Sequence, residues 1–260
     1  MRRQGGAAIS ENSTHADPPA PTAEPSVGVA RTWIPPTHLG SLIAGVAGIL
    51  VVVILGRTIH VLGNGPLPID VWWHDLMRAL RTDFGLAVAR FMQTVGGTVG
   101  VVVTGVVLVA WFALARRPWH VLTVVLAMIV AQLLTDVAKV TFARPRPADS
   151  LGATALTSFP SGHTSMAASV AIVLALLLST RLVWILAVGW IVLMAWSRTY
   201  LEAHWLTDVT AGAILGTSVA LITWATIDSL RRAAESPALR VPATARDDLD
   251  AAPAAEPSSP

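Results

Sequence analysis

Cysteine is absent from all 260 residues. That excludes disulfide staples, a thiolate nucleophile and every metal site built on cysteine. Charge is scarce as well. Only 13% of residues are Asp, Glu, Lys or Arg, about half the quarter that a soluble domain carries. The net charge of +2 is too small for the basic footprint of a nucleic-acid binder, so no nucleic-acid partner is expected. An apolar leader is also missing: a polar stretch rich in Pro, Ala and Ser follows Arg2 and Arg3, which is not the core of a secretory signal. What the chain has in quantity is apolar side chains, 53% of the total, with a mean hydropathy of +0.61. A membrane protein is the expectation.

Charged residues divide the middle of the chain into apolar runs: 39–56, 91–115, 118–136, 164–179, 182–197 and 209–227. Each is roughly 16 to 25 residues long, the length a helix needs to cross about 30 Å of hydrocarbon. The runs are apolar on all faces, which suits lipid better than a soluble core. Gly45, Gly48, Gly96, Gly97, Gly100 and Gly105 would let helices approach closely. The fold class expected is all-α, a polytopic six-transmembrane helix bundle over residues 35–230. Between the first two runs, Trp72 and Trp73 alternate with Asp70, His74, Asp75 and Arg78, the pattern of an amphipathic interfacial helix. The segments 1–34 and 231–260 read as disordered tails by composition. Arg116-Arg117 and Arg231-Arg232 stand at run ends, which puts both tails in the cytoplasm and the opposite ends outside. The oligomeric state stays open.

Polar residues gather in three stretches at the outer ends of the runs. They are Lys139 to Pro147, Pro160 to His163 and Ser197 to Asp208. Lys139, Arg146 and Arg198 are cations able to surround an anion rich in oxygens, the arginines through a planar fork and the lysine as a point charge. Ser161 and Gly162 precede a helix, so their amides would point at the same anion. His204 and Asp208 are four apart and share a helix face, so the carboxylate can orient the ring and raise the nucleophilicity of its far nitrogen. His163 is a candidate general acid. Each piece alone has an ordinary reading: a snorkelling cation, a turn before a helix, an incidental surface pair. Together, at membrane-interface positions, they read as a phosphoryl-transfer site in which cations replace a metal.

The three stretches resemble the signature motifs of the type-2 phosphatidic acid phosphatase family. Those motifs are a Lys and an Arg-Pro separated by six residues, a Pro-Ser-Gly-His, and a Ser-Arg with a His after five residues and an Asp after three more. Lys139 with Arg146-Pro147, Pro160 to His163, and Ser197-Arg198 with His204 and Asp208 match every spacing. The resemblance implies an integral membrane phosphatase acting on a lipid phosphate or pyrophosphate, of the polyprenyl diphosphate, phosphatidate or phosphatidylglycerophosphate class. It implies His204 as nucleophile, Asp208 as its orienting group and His163 as the acid. Lys139, Arg146, Ser161, Gly162 and Arg198 would hold the phosphate. No cofactor and no metal are expected, and the partners are the lipid substrate and membrane lipids.

Other readings keep part of this picture. A phosphotransferase would use the same site with an acceptor other than water. Vanadate-dependent haloperoxidases are similar in the motifs but soluble. A transporter or scaffold would leave the nucleophile and acid unused. Arg144 is expected on the substrate side or at the headgroup, and Asp136 to pair with Lys139 or to be solvated. Glu202 has no assigned role, and His60, His74 and His120 are expected apart from the site.

Overall fold

The structure, a computed structural model, describes residues 36–152 and 156–236. These are helical, with one isolated β-bridge between Pro145 and Thr157. The helices are α1 Pro36–Val61, α2 Pro68–Ala79, α3 Asp83–Val95, α4 Thr98–Leu114, α5 Pro118–Phe142, α6 Gly162–Leu178, α7 Arg181–Tyr200 and α8 Leu206–Glu235. Their ends follow local chemistry. Pro68 and Pro118 open α2 and α5, where a missing N–H costs nothing. The Thr82 and Thr180 side chains accept from Gly85 and Val183 N–H at the starts of α3 and α7, satisfying donors that have no partner within the helix.

Four helices (α1, α5, α7 and α8) are long and apolar enough to cross a membrane, or five spans if the bent pair α3 and α4 counts as one. The second expected run is therefore not one straight helix: it breaks at Gly96-Gly97, and the two pieces meet at 57°. A Cβ on Gly100 would overlap the Val95 carbonyl, so only glycine lets the backbone fold over itself there. The 17-residue α6 is shorter. Most of it is buried by its neighbours. Large apolar side chains instead face outward on α1, α4 and α7, including Ile54, Val106 and Leu186. An apolar exterior around a bundle of this kind is the mark of lipid as solvent. The described residues form a multi-pass membrane protein.

Small residues set the centre of the bundle. Gly212 and Gly216 of α8 lie against Ser161, which precedes α6, and against Ser165 and Ala168 of α6, and Gly48 of α1 lies against Ser218 of α8. Backbones thereby come close enough for dense dispersion contact. At one end of the bundle His38 of α1 touches Asp228 of α8 at 3.1 Å, and His120 of α5 meets Phe112 of α4. At the other end stand the C-termini of α5 and α7 and the N-termini of α6 and α8, where the polar stretches lie. Helix α8 runs to Glu235, five residues past the expected domain boundary, with Asp228 pairing to Arg231 and Arg232. The expected tail 1–34 and the rest of 231–260 beyond Ser236 lie outside the described residues.

Candidate active site

Local chain geometry brings the three polar stretches together. Ala143 takes a left-handed conformation, φ 44°, and ends α5. The chain turns there, and Arg144 enters the protein. Ser158 N–H donates to the Arg144 carbonyl at 2.8 Å, and Ser161 N–H to the Asp208 carbonyl at 3.0 Å. The first stretch is thus tied to the second, and the second to the third, through backbone alone. His204 sits in the turn between α7 and α8. Asp208, in the first turn of α8, accepts from Trp205 N–H at 2.9 Å.

His204 is 3% exposed. Its Nδ1 faces Asp208 Oδ2 at 3.7 Å, and its Nε2 lies 3.0 Å from Arg146 Nη1. A guanidinium only donates, so Nε2 carries the lone pair and Nδ1 the proton. Burial, then Arg146, Arg198 and Lys139, hold the ring well below the usual histidine pKa. At neutral pH His204 is a neutral imidazole with its basic nitrogen directed toward cations. Arg198 is 2% exposed, and its Nε and Nη1 have no hydrogen-bond partner. A buried cation with unused donors is a site prepared for an anion.

Lys139 Nζ lies 3.6 Å from the point where a Cβ on Gly162 would stand. Both residues, with His163, border a cleft of about 550 Å³ between α4, α5 and α6. Its remaining wall is largely apolar and includes Val102, Met128, Ile129 and Leu133. The cleft thus has a cationic end and a hydrocarbon-like flank.

Several expectations need correction. Arg144 is not on the substrate side. It is fully buried, donating from Nη1 to Asp208 Oδ1 and from Nη2 to Asp70 Oδ2, both at 2.7 Å. Asp70 does not belong to a polar helix face, since it too is fully buried. The Ser161 amide is occupied by the Asp208 carbonyl, so of the two expected amides Gly162 is the one without that commitment. Asp136 follows the solvated one of its two expected readings: it is exposed and accepts from Gln132 at 2.9 Å, and no ion pair joins it to Lys139 among the described residues. Glu202 is buried beside Arg81 and Arg78. His74 is not remote: it contacts Asp149 at 3.1 Å and packs on Trp205, the neighbour of His204. His74, Asp149 and Glu202 bring their ligand atoms within 4.8 Å of one another, but Arg78 lies 3.4 Å from Asp149 and Arg81 pairs with Glu202. Those arginines already neutralise the carboxylates a cation would need.

Residues 120–232 match the family model of the PAP2 superfamily. A curated undecaprenyl-diphosphatase from Sulfolobus acidocaldarius is 34% identical over 108 residues, covering 39% of this chain and 52% of that protein. The chain thus aligns with about half the length of that relative. The crystal structure of a transmembrane PAP2-type phosphatidylglycerolphosphate phosphatase from Bacillus subtilis superposes with a TM-score of 0.65 at 27% identity, covering 72% of this chain and 98% of that one. Aquifex aeolicus LpxE shares the fold at a TM-score of 0.55 and 23% identity, over 61% of this chain and 96% of its own. The matched segment encloses His163, Arg198, His204 and Asp208, and the backbone likeness extends over most of the described helices, so over this part the chain is similar to the PAP2 superfamily.

Proposed function

We propose that this chain is a membrane phosphatase that hydrolyses a lipid phosphate or pyrophosphate through a phosphohistidine on His204, without a metal ion. The observation that carries this reading is the neutral, buried His204 ring, with Nε2 3.0 Å from Arg146 and Nδ1 facing Asp208. The named activities of two relatives, an undecaprenyl-diphosphatase and a phosphatidylglycerolphosphate phosphatase, both concern lipid-linked phosphate. The apolar flank of the cleft suits such a lipid.

In this mechanism the phosphate oxygens enter among Arg146, Arg198, Lys139 and the Gly162 amide. Nε2 attacks phosphorus, and the P–O bond to the lipid side breaks. His163, in its protonated form, gives that proton to the departing oxygen. The His204 ring becomes cationic, with Nδ1–H held toward Asp208. Water then attacks the phosphorylated nitrogen's phosphorus, its proton goes to His163, and inorganic phosphate leaves with His204 neutral again. The cations carry the charge stabilisation that a metal would otherwise supply. Six membrane crossings, counting α6 and the bent pair, would place both chain ends on the cytoplasmic side and the site outside, with α2 lying in the interface.

The test is phosphate release by purified protein from a panel of polyprenyl diphosphate, polyprenyl monophosphate, phosphatidate and phosphatidylglycerophosphate, in chelator. Wild type is expected to be active and His204→Ala to lose activity by at least about 10³-fold. Near-normal turnover by His204→Ala, or activity that chelator abolishes and magnesium restores, would overturn the mechanism.

A further inference from the structure

Behind His204 lies a buried line of charge that reaches outside the family-matched segment. Asp208, Arg144 and Asp70 are each fully buried. Arg144 bridges the two carboxylates at 2.7 Å on each side. Its Nη1 also donates to Thr207 Oγ1 at 2.8 Å, and its Nη2 to the Gly65 carbonyl at 3.0 Å. Asp70 is held as firmly. Its Oδ2 accepts from Leu67 N–H at 3.0 Å, at the start of α2. Its Oδ1 accepts from Thr207 N–H at 2.8 Å, in the first turn of α8. One carboxylate therefore caps two helices and meets a guanidinium, which is what an ionised group needs in order to stay buried.

We propose that Asp70 and Arg144 form a positioning pair that sets the direction and charge of the Asp208 carboxylate behind His204. Two observations carry this. Arg144 occupies Asp208 Oδ1, which leaves Oδ2 to face the His204 ring. The ionised set of Asp70, Arg144 and Asp208 also holds one negative charge in excess, beside the ring that becomes cationic when Nε2 forms its bond to phosphorus. Arg146, Arg198 and Lys139 already stand near this charge, but its attraction to the ring appears only when the ring turns cationic, so the pair favours the reacting state over the resting one. Arg144 alone would cancel Asp208, and Asp70 restores the charge. The inference rests on the phosphohistidine reading above, and its test separates the two.

The kinetic arm compares wild type, Asp70→Asn, Asp208→Asn and the double variant. Asp70→Asn is expected to lower kcat about 10- to 100-fold, the span of contacts that act through a shared partner, with KM changed by less than about threefold. In the Asp208→Asn background the same change is expected to cost less than about threefold more, because the group it acts through is gone. Equal costs in both backgrounds, or wild-type kcat in Asp70→Asn, would overturn the pair. The second arm needs no turnover. In protein labelled with [15N]histidine and loaded with orthovanadate, the His204 Nδ1 proton is assigned by its loss in His204→Gln. It is expected downfield in wild type and moved toward the Asp208→Asn position in both Asp70→Asn and Arg144→Lys. An unmoved signal would overturn the pair even if both variants lost activity through poor folding. A moved signal in a protein that releases no phosphate from any lipid would uphold the pair and reject the phosphohistidine reading.

Discussion

His204 is kept neutral by its surroundings, and that has a consequence for stability as well as for chemistry. Its native pKa is depressed below the ordinary 6.5, first by burial and then by Arg146, Arg198 and Lys139. As pH falls through 6.5 the unfolded chain takes a proton at this position before the folded one does. Stability is therefore lost as pH drops below about 6.5, at a limit of about 1.4 kcal/mol per pH unit for one group. The expected outcome is that the thermal midpoint of wild type in detergent falls more steeply between pH 7 and pH 5 than that of His204→Gln, which has no proton to gain. Parallel curves would mean that the ring is not held neutral. At this scale the spacing of charged residues in the chain was enough to mark Lys139, Arg146, His163, Arg198, His204 and Asp208 as one candidate set. It did not mark Asp70, an aspartate inside a tryptophan-rich segment whose inward direction depends on where α8 begins. Arg144 was visible only as a near neighbour of Arg146, and two positions of chain separate a buried carboxylate bridge from a cation against His204.

At the scale of the elements, the packing of α6 on α8 is what brings the Pro-Ser-Gly-His turn to His204. A Cβ on Gly216 would overlap the backbone carbonyl of Ser165. A backbone atom cannot rotate aside as a side chain does, so Gly216→Leu forces the helices apart. This substitution is expected to cost about 1–3 kcal/mol or more and to lower both the thermal midpoint and turnover. Gly40 on α1 has nothing within 4 Å of an added Cβ, so Gly40→Ala is expected to be neutral or to stabilise by up to about 1 kcal/mol through helix propensity. A Gly216→Leu protein as stable as Gly40→Ala would refute the close packing of α6 on α8. Existence and order of the apolar helices were legible from run length. The break between α3 and α4 was not, although its glycines were noticed, because glycine in an apolar run serves close packing and kinking equally well and only the Val95 carbonyl over Gly100 distinguishes them.

For the whole molecule, the polar stretches lie at one end of the bundle and the chain ends leave the described helices at the other. If the arginine pairs at Arg116-Arg117 and Arg231-Arg232 face the cytoplasm, the site faces outward. A single cysteine at Leu156, which is 89% exposed, is easily read in a chain with no cysteine of its own. It is expected to react with a membrane-impermeant reagent in intact cells, and reaction only after lysis would reverse the orientation.

The sequence by itself determined that this protein lives in lipid, because its hydropathy and long apolar runs leave no soluble alternative. It also marked the side chains proposed to carry the chemistry, because phosphate recognition demands particular residue types at particular spacings. Only the tertiary structure decided what stands behind those side chains. Whether Arg144 faces a substrate or bridges two buried carboxylates, and whether the Ser161 amide is free or committed to Asp208, depends on contacts between residues up to 74 positions apart. Local spacing carries no information about such contacts, since they exist only once the helices have packed.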